Sequence, residues 1–246
     1  MASWSWVIGM IAVPACVAAQ DVGWHSTVDA SATTLFGATS QTLASFATSV
    51  SRDGEDFSAD ATAKFYYGES KDADRITFVS ARSWALGATF DALPKARVSP
   101  FLLGSAEASL EKRIASRTSG GVGAKWVFTR TNTGSASISL ALLGERLTPL
   151  ADTAVESSKL ARWSWRVKTK QQVGERVGFT HVTFYAPQVN AFDRYTITST
   201  SMGSYSMTKA VALTLTFVDN FDSQARSRGA VANNDGSLLF GVRGKF

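Results

Sequence analysis

The sequence predicts an all-β fold: a closed antiparallel transmembrane β-barrel of about 12 strands, following an export signal. Three observations predict it. Apolar and polar side chains alternate with period two over about a dozen segments, as strands with one apolar and one polar face require. The clearest segments are about eleven residues long, and at about 3.3 Å per residue and a tilt of about 45° each covers roughly 25 Å of membrane normal. After the first 19 residues no run approaches the roughly 18 apolar residues of a membrane helix, although 45% of the 246 residues are hydrophobic. Only a closed barrel satisfies every backbone group in lipid without helices.

The chain opens on a short apolar run, Val7 to Val13, then Pro14 and the small-residue stretch Ala15 to Ala19. This is the form of a secretory signal peptide cut after Ala19, although no Lys or Arg precedes the run. Residues 1–19 are therefore assigned as signal and 20–246 as one barrel domain. Val13-Pro14-Ala15-Cys16 also resembles a lipoprotein box, the weaker alternative because of its proline. Cleavage after Ala19 removes the only cysteine, leaving no disulfide and no thiolate ligand.

The strands are expected in order at 24–36, 41–51 and 57–67. In the third, Phe57, Ala59, Ala61, Ala63, Phe65 and Tyr67 oppose Ser58, Asp60, Thr62, Lys64 and Tyr66. The fourth, 75–86, has an open facing, because Ile76, Phe78 and Trp84 share parity with Ser80 and Arg82. Strands at 98–110, 118–129 and 135–145 follow; Trp126 lies on an apolar face and Glu107 on a polar one. Segment 159–170 sets Ala161, Trp163, Trp165 and Val167 against Arg162, Ser164, Arg166, Lys168 and Lys170. The last four are 176–186, 195–202, 209–218 and 235–246.

In the terminal strand Leu238, Phe240, Val242 and Phe246 oppose Arg243 and Lys245. An amphipathic strand ending the chain on an aromatic carboxylate is the form of the closing strand of a bacterial outer-membrane barrel. The even count fits a single-chain barrel. Long outer loops are expected at 68–74, 111–117, 148–158, 187–194 and 219–234, and short turns at 52–56, 130–134, 171–175 and 203–207. A short first outer loop and a long turn at 88–95 break the alternation. The competing reading is a soluble β-sandwich that buries the tryptophans and shows the bases to water, but its strands would usually have five or six residues.

Gly23-Trp24, Gly37-Ala38-Thr39-Ser40-Gln41-Thr42, Gly121-Val122-Gly123-Ala124-Lys125, Phe179 to Pro187 and the run from Val211 to Phe246 resemble the YdiY-like family of salt-induced outer-membrane proteins, a domain of unknown function. The family more often has Gly-Asn where this chain has Gly37-Ala38. The resemblance implies a Gram-negative outer-membrane location, a role in salt or osmotic stress, and Phe246 as part of the signal read by the outer-membrane assembly machinery. It implies no mechanism.

The expected partners are outer-membrane lipids, that machinery and small solutes. Net charge is +5, but the bases are spread along alternating strands rather than gathered in one run, so no nucleic-acid role is expected. Lys64, Glu107, Arg162, Arg166, Lys168, Lys170, His181, Arg243 and Lys245 are the lumen-lining candidates, and Trp126, Trp163, Trp165 and Phe240 the membrane-facing ones. No cofactor is expected. Two histidines, His25 and His181, cannot build a multi-histidine metal site. His181-Val182-Thr183 places a histidine and a hydroxyl on one strand face, which leaves a lipid hydrolase as an alternative, but no acid orients it and no catalytic residue is assigned. A narrow passive channel, selective for anions if the lumenal bases are unpaired, is the leading reading; paired bases would make a non-conducting structural or interaction barrel.

Overall fold

The computed structural model describes residues 23–35, 40–71, 76–152 and 155–246; the signal segment 1–19 with Cys16, and the turn at 37–39, lie outside the described residues. Twelve strands follow one another: β1 (Trp24–Leu35), β2 (Ser40–Asp53), β3 (Phe57–Lys71), β4 (Thr77–Ala92), β5 (Val98–Ser109), β6 (Ile114–Thr131), β7 (Gly134–Pro149), β8 (Ser158–Val173), β9 (Val177–Gln188), β10 (Ala191–Ser206), β11 (Val211–Asp222) and β12 (Asn234–Lys245). Each pairs antiparallel with the next, and β1 pairs with β12 to close the barrel. Phe246 continues that seam, its backbone exchanging two 3.0 Å hydrogen bonds with Ser26. Closure leaves no strand edge unpaired, as a barrel in lipid requires.

The burial pattern is inverted relative to a soluble protein. Phe240 is 61% exposed, Val122 59% and Leu102 54%, all pointing out of the barrel, while Ser99, Ser139 and Ser164 are buried inside it. A belt of exposed Leu, Val, Phe and Trp around a closed sheet far exceeds the apolar patches of water-soluble monomers. The sandwich reading is excluded by this arrangement. Leu142, outward in the middle of β7, is a test position: Leu142→Arg is expected to destabilise the folded barrel by about 2–4 kcal/mol at mid-depth, measurable by urea titration of the refolded protein in vesicles.

Strands run from 12 to 18 residues, and most are longer than the segments expected. Their extensions consume several of the expected loops. The 187–194 loop shrinks to a turn at 189–190, because β9 continues to Gln188 and β10 begins at Ala191, with a register shift between Ala191 and Tyr195. The 111–117 loop shrinks to 110–113, and the long turn at 88–95 becomes 93–97, because Ala88 to Ala92 continues β4. Shorter turns cluster at the end carrying residues 23 and 246, here the inner end. At the other, outer end stands the longest connection, 223–233, which holds a short 3-10 helix, Arg226–Arg228, stopped by Gly229 at φ +87°. That left-handed backbone suits glycine.

The open facing of the fourth strand has a physical cause. Gly68 pairs with Ala81 but Glu69 pairs with Val79, so Ser80 is an extra residue and side-chain parity shifts there. Tyr67 faces Arg82 and Phe65 faces Trp84 below the bulge, whereas Val79 takes the face of Glu69 above it.

Inside, Phe101 packs with Ala141, Leu143 and Leu103 against the β5–β7 wall. Gly123 makes room: a Cβ there would lie 2.6 Å from Phe101 Cζ and 2.7 Å from the Ala141 Cβ.

Candidate functional site

The inward charges divide into two levels. At the outer end, inward parity places Glu107 on β5, Arg117 on β6, Glu145 on β7, Arg162 on β8 and Asp222 at the tip of β11 in one cluster. Arg117 donates to Glu107 Oε1 at 2.7 Å and to Asp222 Oδ2 at 2.8 Å, and its Nε is 3.7 Å from Glu145 Oε1. Arg162 Nε donates to Glu145 Oε2 at 3.0 Å, and its Nη1 donates to the carbonyls of Ala186 and Arg194 at 2.9 and 3.4 Å. The 223–233 loop supplies Arg228, which donates to Asp222 Oδ2 at 2.6 Å and to the Lys112 carbonyl at 3.2 Å. Asp222, Arg162 and Arg228 are all buried. Three guanidinium groups thus meet three carboxylates, a neutral network that ties the loop across the outer mouth. The charge-assisted bonds offset part of the desolvation of these buried charges, while Arg117 Nε and Glu145 Oε1 face each other at 3.7 Å without a hydrogen bond.

Below this network a cavity of about 1150 Å³ opens at the inner end, and none of the six network residues lines it. Nine cationic side chains and four carboxylates line it, so it is formally positive. Arg166, Lys168 and Lys170 form a ladder on β8, and the strand pairing sets Ser139, Ser137 and Ser135 of β7 directly beside them. Same-face neighbours on a strand stand about 6–7 Å apart, so the three bases form an evenly spaced row flanked by hydroxyls. Arg166 Nε donates to Ser139 Oγ at 3.0 Å, and its guanidinium lies 5.5 Å from the Phe101 ring and 5.9 Å from the Phe184 ring. Among the described residues no ion pair within 4.0 Å engages Arg166, Lys168, Lys170 or Lys245.

Three other cavity bases, Lys95, Lys125 and Arg243, have carboxylate partners. Lys125 pairs with Asp91, and Arg243 grips Asp29 through two hydrogen bonds at 2.7 and 2.8 Å while also reaching Met202 Sδ at 3.0 Å. Lys245 donates to Ser206 Oγ at 3.2 Å. At the inner rim Lys95 pairs with Glu55 at 2.5 Å and holds that exposed carboxyl below the usual range, through the hydrogen bond first and its charge second.

The structure places the residues singled out from the sequence as follows. Trp126, Trp165 and Phe240 point outward and exposed, and Trp163 lies half-buried on the same face opposite Leu142. Glu107 and Arg162 belong to the outer network; Arg166, Lys168, Lys170, Arg243 and Lys245 line the cavity. Lys64 lies on the inward face of β3, opposite in parity to the outward Phe65, and does not line the cavity. Phe246 is exposed at the inner end.

His181 is a correction: expected in the lumen, it faces outward. It pairs in register with Thr169 on β8 and Ser201 on β10, while Thr183 pairs with Val167 and Tyr185 with the outward Trp165. The next residue along, Phe184, contacts the inward Arg166, which fixes the parity of β9. Sequence reasoning missed Arg117, Asp222 and Arg228, since all three fell in expected loops. One signal could have found Asp222, which continues the inward parity of Val218 and Asn220 past the assumed end of the strand.

Solved structures that resemble the chain include a porin, an outer membrane channel and an autotransporter translocator domain. The NanC porin superposes with a TM-score of 0.52 at 12% identity, covering 90% of this chain and 100% of that one. The outer membrane channel COG4313 from Pseudomonas putida F1 gives 0.48 at 9% identity over 94% of this chain and 98% of its own. The translocator domain of the autotransporter NalP from Neisseria meningitidis gives 0.48 at 10% identity, over 93% and 90%. At these identities the likeness concerns the fold. No curated protein matches the sequence. The resemblance to YdiY-like proteins agrees in kind with the family whose profile spans nearly all of the barrel: the chain matches it over residues 28–244 and belongs to DUF481, a family of proteins of unknown function.

Proposed function

We propose that this outer-membrane-type barrel is a narrow passive channel for small anions, with its inner end in the periplasm and its outer mouth held by the 223–233 loop. The observation that carries the reading is the row Arg166, Lys168 and Lys170, set in the wet cavity without ion-pair partners among the described residues. Rings or rows of like charge in a confined pore attract counter-ions and repel co-ions. Support for the orientation comes from the placement of residues 23 and 246 and of the shorter turns at the inner end, the periplasmic arrangement in such barrels. Vesicles carrying the refolded protein should swell faster in an isosmotic anionic solute than in a cationic one. Equal rates would remove the selectivity, and no swelling in either would remove the channel.

A second reading, a non-conducting barrel, is favoured by one specific observation, the outer network that bridges five strands and the loop. It makes the vestibule a blind pocket instead of a pore. The hydrolase alternative is disfavoured by depth, because His181 and Thr183 lie four and two residues from the Tyr185 level, toward the middle of the span rather than at the lipid ester carbonyls.

Export through residues 1–19 and assembly through Phe246 are part of the proposal. Deleting Phe246 should lower the outer-membrane level of the protein, read by fractionation and heat-modifiable gel mobility, with less effect on synthesis or secretion. A normal outer-membrane level in the deletion would count against that role. Support for it comes from the seam position, where Phe246 exchanges backbone hydrogen bonds with Ser26.

A further inference from the structure

The apolar belt carries a cluster of outward polar side chains on β8 to β10. Thr169 on β8, His181 and Thr183 on β9, and Ser199, Ser201 and Gly203 on β10 occupy successive outward positions, flanked by Val167 and Trp165 on one side and by Leu215 and Phe217 on the other. The patch is deep in the span. On β10 it lies between Tyr205 near the inner end and Tyr195 near the outer end, where Tyr195 packs with Tyr185 and Phe221. Aromatic residues of this kind form the girdles that mark the two interfaces. The two tyrosines are ten residue steps apart along the strand, about 33 Å of chain and roughly 23 Å of membrane normal.

The four polar groups form a single line. Ser201 Oγ is 2.8 Å from His181 Nδ1, His181 Nε2 is 2.9 Å from Thr183 Oγ1, and Thr183 Oγ1 is 3.1 Å from Ser199 Oγ. Each hydroxyl carries one donor hydrogen and a neutral imidazole carries one. A line of four donors joined by three bonds leaves one donor over, and the tautomer decides at which end: Ser201 when Nδ1 holds the proton, Ser199 when Nε2 does. Hydrocarbon chains cannot accept it, and an unpaired hydroxyl in an apolar medium costs roughly 2–7 kcal/mol. The network is therefore incomplete within one chain.

A hydroxyl both donates and accepts, so the ends of this line are complementary to the same ends in another copy. The small outward side chains of Thr169, Ser199, Ser201 and Gly203 also leave the sheet flat enough for close approach, as small residues do at contacts between membrane segments. We propose that the β8–β10 face is the contact surface of a symmetric dimer of this chain within the membrane, completed by hydrogen bonds between the Ser199 and Ser201 hydroxyls of the two copies. A two-fold axis along the membrane normal makes the contact isologous and closes the assembly at two. This inference does not depend on conduction.

The test uses the full chain, with its only cysteine replaced by Cys16→Ala, refolded into phosphatidylcholine vesicles. Ser201→Cys in that background should give a cross-linked dimer with a short bis-maleimide, at a yield that survives tenfold dilution with lipid. Leu86→Cys, exposed on the far side of the barrel, should give about a tenth of that yield or less, the level of random collision. Equal yields at the two positions, or a Ser201→Cys yield that falls in proportion to dilution, would overturn the proposal. A Ser199→Ala/Ser201→Ala pair should weaken association of labelled chains by about tenfold, the loss of one to two membrane hydrogen bonds, while keeping the heat-modifiable band of a folded barrel. Unchanged association in that folded variant would also overturn it.

Discussion

Asp222→Ala is expected to raise the conductance of the reconstituted barrel several-fold and to lower its unfolding free energy by about 3–5 kcal/mol, the cost of stranding a buried charge. Asp222 is the one carboxylate of the outer network that joins the strand wall to the loop, accepting from Arg117 at 2.8 Å and from Arg228 at 2.6 Å. Without it Arg117 keeps Glu107 and Glu145, so the wall stays neutralised. Arg228 keeps only the Lys112 carbonyl, and the loop loses the ion pair that holds it across the mouth. Planar-bilayer recording and urea titration separate the two effects. Lost stability with unchanged conductance would mean that the loop does not occlude the path, whereas an unchanged stability would contradict the account of the network itself.

The second large effect is on selectivity. Changing Arg166, Lys168 and Lys170 together to glutamate turns nine cationic and four acidic lining side chains into six and seven, so the formal charge of the cavity changes sign. The reversal potential in a salt gradient should change sign with it, from anion-selective to cation-selective. These side chains face a wet cavity rather than a packed core, so the variant should keep the heat-modifiable mobility of the folded barrel. A folded variant with an unshifted reversal potential would place the selectivity elsewhere.

How much of this was legible in the sequence depends on the strand. Segments 57–67 and 159–170 alternate so regularly that both faces were readable from parity alone, and the structure sets Trp163 and Trp165 outward and Arg162 and Arg166 inward. The fourth strand was not readable, because the extra residue at Ser80 shifts parity and a bulge is defined only by the partner strand. β9 was misread for a different reason. It carries Phe179 and Tyr185 on one face and Val182 and Phe184 on the other, so neither face is distinctly polar and the register to β8 alone decides where His181 points. The alternation of loops survived only in part, since several strands extend beyond the span into what had looked like loop.

For the site, the sequence offered two outcomes for the lumenal bases, paired or unpaired. The structure realises both at different heights. Arg162 is paired at the outer level with Glu145, whereas Arg166, Lys168 and Lys170 stand below it in the cavity. Depth along the barrel axis could not be read without the register between strands, nor could the inward fold of Arg228, which comes from a loop with no periodicity to follow.

The central claim is that a cationic lumen passes small anions through a membrane-spanning barrel. It is tested most directly by the reversal potential of the refolded full chain in a planar bilayer under a potassium chloride gradient. The account predicts a measurable current whose reversal potential lies toward the equilibrium potential of chloride. A reversal potential on the potassium side, or no current above background at either polarity, would contradict it.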